Sequence, residues 1–285
     1  MRRNKNQHIL NSSLSNKGYT IVETLIFLAV TGVLFASAML VVGGQQRKTE
    51  FHTGIREIES QLIDIMNDVS TGLYNNTGNF TCSTASSTTN PPTISLGSAP
   101  EQGTNAECIF VGRAIQFAPN GTDNEELGIY TLFGRRQVGL PTSGTDVRTL
   151  AEAAPDVPTF DQADATLELP YGIKIMSVSY ISGLAQERGT IAFTNRFAGN
   201  AGSGGITGSQ DIDIIAIAGT SLNQTKPAAK NNIRTNITAA TSALNPNSGI
   251  TLCFKSGGTD QHGKILIGGS GRQINTALTI GTGDC

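Results

Sequence analysis

Residues 16–35 read NKGYTIVETLIFLAVTGVLF, an apolar run interrupted by one glutamate, Glu23. From residue 19 to residue 42 this glutamate is the only charged side chain. At about 1.5 Å per residue, a helix of that length crosses the roughly 30 Å hydrocarbon core of a bilayer. The stretch therefore predicts a transmembrane helix, and it raises the question of which group offsets the cost of a carboxylate in apolar surroundings.

The charges around the apolar run are distributed asymmetrically. Residues 1–18 carry four basic residues and no acidic one, which leaves 16 basic and 22 acidic residues in the rest of the chain. By the positive-inside rule, this predicts a cytoplasmic start and an exported remainder. Because the run is longer than the apolar core of a secretory signal peptide, about 7–15 residues, we expect it to stay on the mature protein.

An amphipathic pattern continues the helix beyond the apolar run. Apolar residues recur every three or four positions, as one face of an α-helix requires: Phe51, Ile55, Ile58, Leu62, Ile65, Val69 and Leu73. One helix is predicted from about residue 19 to residue 73. Gly32, Gly43, Gly44 and Gly54 are candidate points of flexibility, since glycine costs about 1 kcal/mol relative to alanine inside a helix; glycines are equally a common feature of membrane helices.

The residues before and at the start of the run resemble a known processing site. Lys17-Gly18-Tyr19-Thr20-Ile21-Val22-Glu23 is similar to the class III signal peptide of the type IV pilin-like family, which includes pilins, minor pilins and type II secretion pseudopilins. In that family a basic leader ends in glycine and is followed by an aromatic residue, usually Phe, then a glutamate and a long apolar helix. Tyr19 departs mildly from that pattern. The resemblance covers about the first 73 residues.

This resemblance implies a maturation and assembly route. A prepilin peptidase would cleave between Gly18 and Tyr19, and the new amino group of Tyr19 would be N-methylated. The subunit would then pass from the membrane, through an inner-membrane assembly platform, into a filament of other copies or other pilin subunits. Because an unpaired buried charge is costly, Glu23 would pair with the amino group of Tyr19 on a neighbouring subunit. The alternative is that Glu23 reaches the membrane surface.

The four cysteines indicate disulfides. None of them forms a C-x-x-C pair, and an even number in an exported chain favours bonded cysteines. Sequence order favours Cys82–Cys108 and Cys253–Cys285, while the two other connectivities and four free thiols remain open.

Short apolar segments separated by Gly, Asn and Ser predict a β-rich region after the helix. The predicted strands are Cys108–Phe117, 127–133, 173–181, 190–194, 212–218, 250–255, 264–267 and 273–280. A weak helix candidate covers 235–244. We expect an α+β protein in which an antiparallel sheet packs against the amphipathic helix half, as in the pilin fold. Residues 250–285, in which paired strands end at a terminal cysteine, resemble the minor-pilin and pseudopilin branch called FimT/GspH.

The predicted organisation has five parts. They are a cleaved basic leader (1–18), a transmembrane and filament-core helix (19–43), an amphipathic helix half (44–74), a polar loop (75–107) and a β-rich extracellular domain (108–285).

Residue patterns that would support chemistry are weak. The three histidines have no zinc-ligand spacing, and residues 258–264 match a phosphate-binding loop by letter but lack its Ser/Thr and its helix. Asp211 and Asp213 alternate with Ile as at the edge of a strand, although they are candidates for binding a cation. Arg135, Arg136, Lys174 and Arg272 are candidates for a DNA-binding patch, but the acidic balance favours a solvated face. No metal, cofactor or catalytic residue is predicted.

The leading hypothesis is a structural subunit of a type IV pilus or a related filament, located first in the cell membrane and then outside the cell. Type II secretion pseudopilin and DNA-uptake minor pilin are the alternatives within this class. The alternative from another class is a single-pass membrane protein with a binding or enzymatic outer domain.

Overall fold

A computed structural model describes most of the chain after the leader. The described residues are 18–72, 80–83, 91–96, 108–121, 124–138, 144–161, 164–182, 184–197, 212–239, 242, 249–268, 275–283 and 285. They divide into two compact units, one that ends at Gln46 and one from Arg47 to Cys285. The two units are described separately below.

The helix α1 runs from Ile21 to Thr71, 51 residues in all. Within the second unit, its buried face consists of Phe51, Gly54, Ile55, Ile58, Leu62, Ile65, Met66 and Val69. This confirms six members of the predicted apolar stripe; the seventh, Leu73, lies outside the described residues. The helix ends before Gly72, which has φ of +69° and donates its N–H to the carbonyl of Val69. Glycine adopts that backbone conformation without steric cost.

The rest of the second unit is built mainly of antiparallel strands. In chain order the strands and helices are β1 (Phe80–Ser83), β2 (Thr93–Leu96), β3 (Cys108–Phe117), β4 (Glu126–Arg135), β5 (Gln137–Val138), β6 (Thr145–Asp146), α2 (Leu150–Ala153), β7 (Ala165–Glu168), β8 (Ile173–Ser182), β9 (Leu184–Glu187), β10 (Thr190–Asn195), β11 (Ile212–Ala216), α3 (Lys226–Asn236), β12 (Ile250–Ser256), β13 (Gln261–Gly268) and β14 (Asn275–Thr282).

The long strands form two five-stranded sheets. The first sheet has the order β11-β10-β3-β4-β7, and the second has the order β14-β13-β12-β8-β9. Two short hairpins, β1–β2 and β5–β6, lie outside these sheets. The predicted α+β class with antiparallel strands is therefore confirmed. The division into two sheets was not predicted, because strand periodicity shows which residues form strands but not which strands pair.

One core joins the amphipathic part of α1 to both sheets. Its largest members include Phe51 of the helix, Phe117 and Phe193 of the first sheet and Phe254 of the second, all essentially inaccessible to solvent. The helix approaches its neighbours closely at Gly54, where an added Cβ would lie 2.6 Å from Cδ1 of Ile173. Burial of this apolar face stabilises the amphipathic half of the helix.

A second core covers the other face of the first sheet. Apolar side chains of β3 and β4, including Val111 and Leu132, pack there against α2, against α3 and against Val157, which lies in the segment between α2 and β7. The pairing of Phe133 with Asp156 attaches that chain segment to β4. Arg234 Nε of α3 lies 2.5 Å from Asp156 Oδ1, so an ion pair joins the helix to the same segment.

The helix candidate at 235–244 was placed too late in the chain. The helix is α3, Lys226–Asn236, with proline in its first turn, where its fixed φ and missing N–H are tolerated. Of its residues, only Ala229, Lys230 and Ile233 are buried. So few apolar positions give almost no helical periodicity, and the sequence KPAAKNNIRTN resembles a polar loop in composition.

The structure contains two disulfides, Cys82–Cys108 and Cys253–Cys285. These are the two pairs that sequence order favoured. The first joins β1 to the start of β3, and the second attaches the last residue of the chain to β12.

Candidate functional site

The surface of the N-terminal unit is the strongest candidate site. Between Ile21 and Val42, fourteen large apolar side chains are 53–80% exposed. This part of α1 contains the one helix window among the described residues that is long and apolar enough to cross a membrane, and none of that window is buried. So large a continuous apolar surface marks a contact with lipid or with another protein.

Glu23 closes the N-terminus of its own helix. The Thr20 N–H donates to Glu23 Oε2 at 3.0 Å, and the Glu23 N–H donates to Thr20 Oγ1 at 3.3 Å. The Thr20 hydroxyl also donates to Glu23 Oε2 at 3.1 Å. This reciprocal arrangement is a capping box, which satisfies two backbone donors that the first helical turn leaves without partners. The carboxylate also lies at the positive end of the helix dipole.

The hydroxyl groups of the apolar segment are satisfied within the helix. Thr24 Oγ1 donates to the carbonyl of Ile21, and Thr31 Oγ1 to that of Phe27, each at 2.8 Å. Ser37 Oγ donates in the same way to the residue three positions earlier, also at 2.8 Å. Because these donors need no water, the helix can lie in an apolar environment without unsatisfied hydroxyl groups.

The predicted processing site lies immediately before the N-terminus of α1. Gly18, Tyr19 and Thr20 precede α1 and are exposed, with Tyr19 84% exposed. The predicted points of flexibility, Gly32, Gly43, Gly44 and Gly54, lie inside the continuous helix. A Cβ added at any of the first three would meet no atom within 4 Å, so close packing within the chain does not require glycine there, whereas at Gly54 close packing does require it. Their role in bending stays a prediction.

The histidines contact neighbouring polar groups in the second unit. His52 Nε2 lies 3.3 Å from Gln261 Nε2, and His262 Nδ1 lies 3.1 Å from the carbonyl oxygen of Gly283. Within the described parts of the chain, no group of three or more His, Cys, Asp or Glu residues could hold a metal ion. His8 lies outside those parts.

Residues 258–264 form the turn between β12 and β13 and the beginning of β13. The strand pairs antiparallel with β12, with His262 opposite Lys255. The segment is therefore a hairpin turn, and it offers no helix N-terminus to a phosphate.

One of the two aspartates considered for cation binding, Asp213, is paired with an arginine. Asp213 Oδ1 lies 2.8 Å from Arg196 Nη2 and accepts a second hydrogen bond from Arg196 Nε at 2.9 Å. Asp211 lies outside the described residues. The pairing with arginine accounts for Asp213 as a sheet-edge residue, without a cation.

Of the residues considered for a DNA-binding patch, the three that the structure describes differ in exposure. Arg135 is 4% exposed and donates from Nε to the carbonyl of Glu152 at 2.6 Å. Burial lowers the pKa of Arg135, with Glu152 acting in the opposite direction. Arg136 is exposed, and Lys174 Nζ lies 3.1 Å from Glu125 Oε1. Arg272 lies outside the described residues.

A buried polar cluster on the outer face of the first sheet was missed by the sequence analysis. The Tyr130 hydroxyl donates to Gln116 Oε1, whose amide donates to the carbonyl of Gln224 at 2.6 Å. Lys230 Nζ lies 2.8 Å from Asp164 Oδ2, and both side chains are almost fully buried. Burial, reinforced by the nearby aspartates, raises the pKa of Tyr130. No sequence signal was available, because these residues come from four distant segments.

Comparison with protein-family models, with curated proteins and with solved structures gave no match. The functional assignment therefore depends on the chain itself: a membrane-capable apolar helix, a disulfide-bonded β-rich unit and the residues that precede the helix.

Proposed function

We propose that this chain is a structural subunit of a type IV pilus or a related pilin-like filament. It is inserted in the membrane before assembly and polymerises through the N-terminal part of α1. The observation that carries the proposal is the exposed apolar surface between Ile21 and Val42, which Gly18, Tyr19 and Thr20 precede. Its architecture, a long apolar helix followed by an antiparallel β region, is compatible with that of pilins.

The helix needs an apolar surface both in the membrane and in the filament. In the membrane the apolar side chains contact lipid, and in the filament they contact the helices of other subunits. The internally bonded hydroxyl groups of Thr24, Thr31 and Ser37 suit both environments. The Glu23 carboxylate becomes the one group that distinguishes them, since only a neighbouring subunit supplies an amine at Tyr19.

In this proposal Glu23 selects the stagger between subunits. One carboxylate and one amine per subunit permit a single offset at which every buried charge has its partner. Other offsets leave a charge unpaired, at a cost of several kcal/mol. The apolar surface then supplies attraction without a preferred register, and the ion pair supplies the register.

The second unit carries no predicted catalytic role in this proposal and forms the outer surface of the filament. Its two disulfides suit an oxidising environment outside the cytoplasm. Pseudopilin and DNA-uptake minor pilin are alternative roles for the same assembly mechanism.

A single-pass membrane protein with a binding or enzymatic outer domain is the second candidate. The membrane-capable helix near the N-terminus favours it as much as it favours a pilin. This candidate requires no processing at Gly18 and gives the Glu23 carboxylate no charged partner on another subunit.

Mass spectrometry of the mature N-terminus tests the proposal against this candidate. We expect a chain that begins at an N-methylated Tyr19. A Gly18→Leu variant is expected to keep its leader, whereas Gly43→Ala, a matched glycine change inside the helix, is expected to be processed normally. A native chain that keeps Met1, or that is cleaved elsewhere, would refute the pilin assignment.

A further inference from the structure

Lys230 of α3 and Asp164, which precedes β7, bring an amine and a carboxyl group together inside the protein. Lys230 Nζ lies 2.8 Å from Asp164 Oδ2, and the two side chains are 6% and 5% exposed. A second carboxylate is close: Asp161 Oδ1 lies 3.8 Å from the same nitrogen, and its side chain is 89% exposed. The buried pair therefore has one acidic neighbour that reaches solvent.

The two side chains are shielded from water beside a buried aromatic ring. Lys230 Nζ lies over the buried ring of Tyr130, 5.4 Å from the ring centroid. Among the described residues, neither carboxylate oxygen of Asp164 nor Nζ of Lys230 has a partner in hydrogen-bond geometry. Burial raises the pKa of Asp164, and the attraction of Lys230 offsets only part of that rise. The pKa of this carboxyl group thus lies above its usual range.

We propose that Lys230 and Asp164 condense to an intramolecular isopeptide bond. Proton transfer within the pair gives a neutral amine and a neutral acid, which cost less to bury than two charges. The lone pair of Nζ attacks Cγ of Asp164, the N–C bond forms and the Cγ–OH bond breaks. The hydroxyl leaves as water with a proton from the nitrogen, which Asp161 accepts and returns to the leaving group. The reaction needs no oxidant or other co-reactant.

The bond joins two segments that are distant in sequence but adjacent on the outer face of the first sheet. The ion pair of Arg234 with Asp156 connects the same two segments. A buried ion pair is weak support for such a junction, because desolvation offsets much of its attraction. An amide carries no such charge cost. The inference does not depend on the filament proposal, since the crosslink lies wholly within one chain.

The intact mass of the full-length protein tests the inference directly. The protein, purified in detergent, is reduced, alkylated and denatured before measurement. We expect a mass lower by one water molecule than that of the linear chain with the same N-terminus. Proteolysis is expected to give a branched peptide that joins Lys230 to Asp164. Lys174 and Glu125, 3.1 Å apart but 39% and 44% exposed, are the internal control and should appear on linear peptides.

Variants assign the bond to its two ends. Asp164→Ala and Lys230→Arg are each expected to restore the full mass, and Asp161→Asn to slow the appearance of the crosslinked form after synthesis. An unchanged rate in Asp161→Asn would remove its part in proton transfer. A native chain at full mass, or a loss of water that maps to linear peptides, would overturn the crosslink.

Discussion

Replacing Glu23 with Gln separates its two possible contributions, helix capping and charge pairing. Glutamine keeps an oxygen that can accept the Thr20 N–H, since capping boxes accept Gln as well as Glu. It removes the negative charge. Glu23→Ala removes both the acceptor and the charge, whereas Thr20→Ala removes the other half of the capping box and leaves the carboxylate.

The two contributions differ enough in size to be distinguished. Loss of a helix cap costs about 1 kcal/mol, and Glu23 shares its cap with the Thr20 side chain through contacts of 3.0–3.3 Å. Removing one member of a buried ion pair costs about 3–5 kcal/mol. Since about 1.4 kcal/mol is a tenfold change in an equilibrium constant, charge pairing predicts a loss of subunit association of roughly a hundredfold or more for each Glu23 variant.

The assay compares the subunit found in sheared filaments with the subunit left in the membrane, at matched expression. We expect Glu23→Gln and Glu23→Ala to insert normally and to be nearly absent from filaments. Thr20→Ala is expected to assemble within about tenfold of the native chain. If Glu23→Gln assembles like the native chain while Glu23→Ala fails, the carboxylate acts only as a cap and the charge-pairing argument is wrong.

Three further predictions concern the second unit, each measured by thermal unfolding of the full chain in detergent. Gly54→Ala is expected to destabilise this unit by about 1–3 kcal/mol through overpacking. Gly44→Ala, whose added methyl group meets no atom within 4 Å, is expected to leave its stability unchanged. Equal melting temperatures for the two variants would contradict the close approach of Gly54 to Ile173. Ile58→Ala should lower the free energy of unfolding by about 2–5 kcal/mol, and Ile63→Ala much less, because Ile63 is exposed. Similar losses in the two variants would contradict the burial of the helix face that contains Ile58. Cys285→Ser should lower the free energy of unfolding by about 2–5 kcal/mol through loss of the disulfide with Cys253. This difference from the native chain should disappear under reducing conditions.

Sequence patterns predicted the helix because its two halves carry strong and different signals. The apolar half is recognised by length and lack of charge, and the amphipathic half by a spacing that only a helix places on one face. Ile55, Ile58 and Leu62 are buried as that spacing requires. The eight predicted strands overlap eight of the observed ones, although β13 begins at Gln261, earlier than the predicted 264. The six shorter strands β1, β2, β5, β6, β7 and β9 were not predicted, and β1 and β2 lie within the segment predicted to be a polar loop.

Pairing and long-range contacts could not be predicted in this way. Nothing in the sequence assigns β8 to the second sheet and β10 to the first, because that choice depends on how the strands pack against α1 and against each other. Lys230 is the clearest case. A lysine in a polar helix is expected at the surface, and its burial depends on Asp164, which comes from a segment 66 positions earlier.

For the candidate site, the sequence predicted the residues but only part of their geometry. Glu23 was interpreted through assembly, with a position at the membrane surface as the alternative. The pattern Thr20-x-x-Glu23 is also a readable capping-box signature before an apolar run, and the structure contains that contact. The intermolecular partner of Glu23 lies outside what one chain can contain, so it stays a prediction.

The relative sizes of the two forces at the N-terminal helix determine what each of them can control. Burying fourteen apolar side chains at about 1.5 kcal/mol each is worth on the order of 20 kcal/mol. One carboxylate near the end of the helix costs about 3 kcal/mol even at the membrane centre. The carboxylate therefore cannot keep the helix out of an apolar environment. It can only favour one apolar arrangement over another, and a difference of 3–5 kcal/mol is ample for that choice. For this reason we expect variants of Glu23 to change which partners the helix selects while its insertion is preserved.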